Sequence, residues 1–234
     1  MNIISEINSL YPELSSLSLS DQAYLMIEHL IVSEQLNPGV MISEKLLCEN
    51  TELGRTPVRE ALMRLEREGL VEIHPRRGAM ITKIELTQQM ELLEVRRPLQ
   101  ILAAKLGAAR AESEEREVLK RFAKQIRQAA VDNDTQRSMA MNRTVHELEA
   151  AVAKNSMLEA SLTLLQSMSR RFWFAFVKSK EETVEGANLH ATLLEKMAEA
   201  NVDEAEKAAN NLLLFLDNIT KKQIESAYSR HFSR

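Results

Sequence analysis

The sequence predicts a mainly α protein: an N-terminal winged helix-turn-helix at about residues 19–83, then a C-terminal all-helical bundle at about 85–230. Three observations carry this. Apolar residues recur at helical spacing along most of the chain. Two short β-like runs, LVEI and AMITKI, flank the segment HPRRG. Four of the five prolines precede residue 80, and none follows Pro98. A long proline-free stretch keeps every amide available for i→i−4 hydrogen bonds, so the second half reads as almost pure helix.

With 234 residues and 44 % apolar composition, the chain can fill one large core or two modest ones. Its single cysteine, Cys48, allows no internal disulfide and no multi-cysteine metal site, which fits a reducing compartment. The opening MNIISEINSLYPELSSLSLS lacks the basic and continuous apolar regions of a signal peptide. No run approaches the roughly 20 apolar residues that a bilayer requires. A cytoplasmic protein without a membrane partner is expected.

Residues 20–35 place Ala23, Met26, Ile27, Leu30 and Ile31 on one helical face. Asn-Pro-Gly at 37–39 breaks that helix. Ser43 is then suited to cap a shorter helix, EKLLCENTEL, with Leu46 and Leu47 inward. In GRTPVREALMRLEREGL, Thr56 is the expected cap and Pro57 the first helical residue, where a missing N–H does no harm. Val58, Ala61, Leu62 and Leu65 share a face, and Gly69 ends the helix. The runs around HPRRG then form a β-hairpin with an arginine-bearing tip.

That order has a functional meaning. A third helix of this length fits the major groove of DNA and points its N-terminal side chains at base edges. Arg55 and Arg59 stand one turn apart at that end, and Arg76 and Arg77 sit at the hairpin tip. The net charge of the chain is −4, yet between Gly54 and Lys83 seven Lys and Arg face four Glu, a local balance of +3. A small basic surface on an acidic chain suits local DNA contact better than indiscriminate coating.

From Glu85 onward, helices are expected at 86–110, 112–131, 135–154, 156–180, 187–200 and 202–230. Polar clusters such as DNDT, KNS and NVDE separate them, and inward Ala, Leu and Met make an antiparallel bundle. RRFWFAF, with Trp173, suggests base stacking at first sight. An aromatic group inside a helical bundle is more often core or subunit interface, and that reading is preferred here.

The segments NPGVMISEKLL, LGRTPVREALMRLEREGLVE, PRRGAMI and ELLEVRRPLQILAAKLGA resemble the GntR family of bacterial transcription regulators. The likeness is to the FadR branch with an all-helical FCD effector domain, of which a six-helix VanR-like form is one variant. It covers about 19–225. The resemblance implies DNA contact by Lys45, Arg55, Thr56, Arg59, Arg77 and Gly78. Gly54 stands where the family commonly has Ser or Thr, so a hydroxyl contact to phosphate is missing. It further implies a homodimer on a near-palindromic double-stranded operator, acting as a repressor released by a small molecule.

For the effector domain, the resemblance implies a cavity lined by Arg96, Asn142, His146 and His190. Arg96 is suited to hold a carboxylate bidentately, which points to an organic or sugar acid. The family often carries a metal bound by one Asp and three His. Here the Asp position is Asn142, His146 and His190 remain, and the third His position falls at Leu212 or Phe215. Two imidazoles and an amide are a poor cage for a divalent metal, so no cofactor is assigned, and a divalent metal on the partial remnant Asn142, His146 and His190 stays an open alternative.

Two rival readings exist. A divergent metal-dependent hydrolase would use His146 and His190, but HELE at 146–149 lacks the second histidine of HExxH, and no nucleophile elbow or phosphate-cradling glycine loop occurs. An architectural DNA-binding dimer would bind DNA regardless of any metabolite.

Overall fold

The computed structural model describes residue 7 and residues 9–232. Part of the segment read for a signal peptide, residues 1–6 and 8, lies outside the described residues. The chain divides into two compact units: Met1–Ile84 with Arg170–Ala175, and Glu85–Ser169 with Phe176–Arg234.

In the first unit, α1 (Leu19–Val32) starts where the Ser18 hydroxyl accepts from the Asp21 amide. All five residues expected inward, Ala23 through Ile31, are buried. The helix stops three residues before the expected 35, because Glu34 turns left-handed at φ 59°. In α2 (Glu44–Thr51) the Ser43 side chain accepts from the Leu46 amide at 3.2 Å, as the cap reading expects. Leu47 is buried, but Leu46, expected inward, is 44 % exposed. Adjacent helical residues point about 100° apart. This short helix buries the single row Leu47 and Thr51, so Leu46 has no partner face.

In α3 (Arg55–Arg67) the capping residue is Gly54, not Thr56, and Pro57 is the third helical residue rather than the first. The first four amides of a helix have no partner inside it, so a proline at the third position still loses nothing. The first helical bond runs from the Val58 amide to the Gly54 carbonyl at 3.4 Å. Val58, Ala61, Leu62 and Leu65 are buried as expected. Burial of each of the Val and Leu side chains stabilises the fold by about 1.5–3 kcal/mol relative to exposure. Gly69, at φ 73°, turns the chain out of the helix. Tyr24 of α1 donates to the buried Glu68 at 2.8 Å, and the Arg64 guanidinium lies 3.6 Å over the Tyr24 ring, tying α1 to the end of α3.

The expected hairpin is present, but it belongs to a three-stranded antiparallel sheet. β1 (Met41–Ile42), β2 (Val71–His74) and β3 (Gly78–Ile81) lie in the order β1-β3-β2. Met41 pairs with Met80 and Ile42 with Ala79. Two residues beside Asn-Pro-Gly carry too little pattern to announce a strand. Residues 170–175 also pack in this unit. There Arg170 pairs with the buried Glu28, Arg171 donates to Thr82, and Phe172 is buried.

The second unit comprises α4 (Leu86–Arg110), α5 (Ser113–Val131), α6 (Thr135–Ala151), α7 (Ser156–Phe176, up to Ser169 and at Phe176), α8 (Lys180–Ala198) and α9 (Val202–Phe232). α5 lies along α8, and α4 along α9. Ala103, Ala150, Ala153, Leu158 and Leu162 make a core cluster joining α4, α6 and α7, with Leu99 and Leu106 packed against it. Three expected boundaries shift by three residues or more: α6 ends at Ala151 rather than 154, and two others move further. α7 ends at Phe176 rather than 180, and α8 starts at Lys180 rather than 187, its first turn capped by the Ser179 hydroxyl accepting from the Glu182 amide.

Candidate nucleic-acid interface and buried polar cluster

The first unit displays cations at two places. Arg55 and Thr56 are exposed in the opening turn of α3, and Arg59 follows one turn on, its side chain 61 % exposed. Arg76 and Arg77 are exposed at the turn between β2 and β3, closed by the Arg77 amide donating to the His74 carbonyl at 3.0 Å. Between α3 and this turn lies a cleft of about 570 Å³ whose lining includes Ser43, Glu44, Arg59, Met63, Arg77 and Gly78. Lys45 on α2 is outside that lining, highly exposed and 3.8 Å from Glu49. The first turn of α3 has no side-chain cap, in keeping with the missing hydroxyl at Gly54.

Gly78 has an internal reason to be glycine. Its φ is +109°, and a Cβ there would stand 2.1 Å from the Ile42 carbonyl oxygen. The close approach of β1 therefore excludes a side chain at the base of the turn.

One partner in this region escaped the sequence reading. The Glu44 carboxylate grips Arg59 side-on: Arg59 Nε lies 2.9 Å from both carboxylate oxygens, and a terminal nitrogen lies 2.9 Å from Oε2. The carboxylate holds the Arg59 guanidinium above its ordinary pKa, chiefly through the hydrogen bond and then through charge. Fifteen residues separate the two, across a turn, so no helical spacing signals the pair.

In the second unit, the four residues expected to line an effector cavity fall into one polar cluster. Arg96, on α4, is only 1 % exposed. It donates to Gln100 Oε1 at 3.2 Å, to the Ser169 hydroxyl at 2.6 Å and to His146 Nδ1 at 3.2 Å. Gln100 in turn donates to Glu149, whose other oxygen lies 3.5 Å from His190 Nδ1. Asn142 Nδ2 lies 3.4 Å from His190 Nε2. The two imidazoles meet edge to face, centroids 5.0 Å apart. The cluster thus runs from Ser169 through Arg96, Gln100 and Glu149 to His190 and Asn142. Glu149, 1 % exposed, was missed. It lies one helical turn beyond His146, a spacing that would have placed it on the same face.

Arginine can only donate, so His146 Nδ1 must accept from Arg96 and the ring proton rests on Nε2. His190 Nδ1 donates to the Glu149 carboxylate, and its Nε2 lies beside the Asn142 amide. These assignments bear on the metal that such bundles often hold. His146 Nδ1 is turned toward a guanidinium, the Asn142 side chain is a neutral amide, and neither Leu212, which is buried, nor Phe215, which is half-buried, offers a donor. Among the described residues, no group of three or more His, Cys, Asp or Glu is disposed to hold an ion. The side chains present do not fit the metal.

The model of the FCD domain matches residues 91–215, and that of the bacterial regulatory proteins of the gntR family matches residues 19–81. The chain belongs to the GntR family. Its members are DNA-binding transcription regulators, and this GntR protein is of the type with a C-terminal FCD domain. It is 29 % identical over 140 residues to an uncharacterised HTH-type transcriptional regulator of Bacillus subtilis, YdhC, a stretch covering 59 % of this chain and 62 % of that protein. It is 28 % identical over 109 residues to the HTH-type transcriptional repressor RspR of Escherichia coli, covering 47 % of this chain and 45 % of that one. The matches therefore span about three fifths and under half of those relatives. The solved structure of McbR/YncC from E. coli shares the fold, with a TM-score of 0.72 at 19 % identity, over 92 % of this chain and 99 % of that one. Among the described residues, no helix is long and apolar enough to cross a membrane.

Proposed function

We propose that this GntR protein is a cytoplasmic, homodimeric repressor that binds a near-palindromic double-stranded operator and is released by a small organic or sugar acid. The observation that carries the DNA reading is the placement of Arg55, Arg59, Arg76 and Arg77, all exposed, at the start of α3 and on the β2–β3 turn of a chain whose net charge is −4. Arg55, Thr56 and Arg59 face base edges and nearby phosphates in the major groove. Lys45 meets the backbone. Arg77 and Gly78 carry the wing against phosphate or the minor groove.

The effector reading rests on Arg96. A buried guanidinium that donates to a serine hydroxyl, an amide and an imidazole is suited to receive a carboxylate bidentately in place of such neutral acceptors. An incoming carboxylate replaces two of them with charge-assisted bonds. His146, His190 and Asn142 then supply hydrogen bonds to hydroxyl or carbonyl groups on the same ligand. Apolar side chains exposed on adjacent helices of the bundle, Val95 and Leu102 on α4 with Met157 and Leu164 on α7, support a subunit interface. An effector that favours one dimer geometry changes the spacing of two recognition helices, which must match half-sites about one DNA turn, roughly 34 Å, apart.

The test is a duplex selected from a randomised pool by the protein itself, followed by displacement with a panel of carboxylates and their neutral amides. Release by a carboxylate and not by its amide supports the reading. Failure to enrich any sequence, or release by no acid, sinks the corresponding half.

A further inference from the structure

We propose that Glu44 is a positioning and specificity residue for DNA recognition: it clamps one edge of the Arg59 guanidinium, presents the remaining edge end-on to a base, and turns phosphate away. The inference rests on the reading of Arg59 as a DNA contact and adds a second residue with a different role.

A guanidinium carries five N–H groups, one on Nε and two on each terminal nitrogen. Glu44 occupies the Nε–H and one terminal N–H, at 2.9 Å each. What remains is the far end of the fork, where two parallel N–H groups, one from each terminal nitrogen, can reach the O6 and N7 acceptors of guanine together. The side-on approach that a phosphate would use is closed. The carboxylate also cancels the net charge that draws a free arginine to any phosphate, while leaving the end-on geometry intact. An exposed ion pair adds little to folding stability, so the pair is better explained by what it does to the arginine than by what it does for the fold.

The placement of Glu44 is fixed from behind. Ser43 caps α2 through the Leu46 amide, and Ile42 is paired with Ala79 in the sheet. Both Glu44 and Arg59 line the 570 Å³ cleft that Arg77 and Gly78 share. The carboxylate is therefore carried on a rigid step between strand and helix, beside the surface that approaches DNA.

The experiment compares wild type, Glu44→Gln, Arg59→Ala and the double variant on two probes: the duplex selected by the wild-type protein, and a scrambled duplex of equal composition, each over a salt series. With the clamp released, Glu44→Gln is expected to bind the scrambled duplex several-fold more tightly at low salt, with a salt slope steeper by about 1. The ratio of selected to scrambled affinity should fall by about tenfold, the size of one good base contact. In the Arg59→Ala background, Glu44→Gln should change neither quantity. A ratio and slope unchanged by Glu44→Gln, or an equal change in both backgrounds, overturns the proposal while leaving the DNA reading in place. If Arg59→Ala alone leaves both probes unaffected, the underlying contact fails first. A thermal melt of Glu44→Gln within a degree or two of wild type shows that the fold is intact, and a large drop marks Glu44 as structural and overturns the clamp.

Discussion

Arg96 donates a hydrogen bond to His146 Nδ1 at 3.2 Å inside the helical bundle. With Nδ1 accepting from a cation and the ring proton on Nε2, neither imidazole nitrogen offers a lone pair to a divalent metal. A protein built this way should not depend on a metal ion. The purified chain is expected to carry substoichiometric metal by elemental analysis and to keep its melting temperature after chelation. Stoichiometric zinc, lost with a fall in melting temperature, would be incompatible with that arrangement.

Arg96 should also decide the response to acids. Arg96→Lys keeps a positive charge but loses the planar fork that a carboxylate can accept from twice. Calorimetric titration with an acid active on the wild type is expected to show at least a tenfold weaker affinity, the cost of about one charge-assisted hydrogen bond. DNA binding without ligand should be unchanged. Equal affinity in the variant would remove Arg96 from the effector site.

Arg59 and Lys45 should fail differently. Arg59→Ala is expected to weaken the selected duplex by about tenfold to a hundredfold and to relax the preference at one base position. Lys45→Ala should weaken selected and scrambled duplexes alike and flatten the salt slope by about 1. A gel-shift series in which Lys45→Ala alone alters sequence preference reverses these roles.

Gly78→Ala tests the sheet rather than the DNA. The φ of +109° and the 2.1 Å approach of the Ile42 carbonyl leave no room for a methyl group. A loss of more than about 1 kcal/mol in denaturant unfolding is expected, beyond the usual penalty for alanine at positive φ. A neutral result would mean that β1 can move away from the wing at little cost.

The buried Glu28 and Arg170 make a further check on the first unit. Glu28→Gln removes one charge of a pair whose side chains are 3–4 % exposed. Leaving the other charge buried costs about 3–5 kcal/mol. A midpoint shift of that size in urea is expected, and a shift near zero would show that Arg170 finds another anion.

How much of this was legible beforehand depends on which signals the chain uses. The inward faces of α1 and α3 follow from helical spacing alone, because Ala23, Ile27, Val58 and Leu65 repeat with a period that burial enforces. The end of α3 was readable because Gly69 marks it. Elsewhere the stops are carried by residues that are not glycine: Glu34, Glu52, Asn133, Lys154 and Ala200 all take positive φ. That is why α1 and α6 were drawn too long. The start of α8 had a usable sign, Ser179 three residues before Glu182, the pattern of a capping box. In the polar cluster, Gln100 and Glu149 each stand one turn from Arg96 and His146 on the same helix, within reach of a spacing argument, whereas Ser169 joins Arg96 only by a contact between helices far apart in sequence. Glu44 was invisible for the same reason: its partner lies across a turn, at no periodic distance.

The two-residue strand β1 also sets how recognition in this protein can change over time. Ile42 is held in the sheet, Ser43 caps α2, and Glu44 grips Arg59, with no spare residue between them. Adding or removing one residue ahead of Ser43 would flip the strand's faces, exposing Ile42, or rotate the carboxylate away from the arginine by about 100°. Length variation is thereby closed off on this side of the reading head. On the proposed DNA reading, new operator preferences in descendants must arise by exchanging side chains at fixed positions.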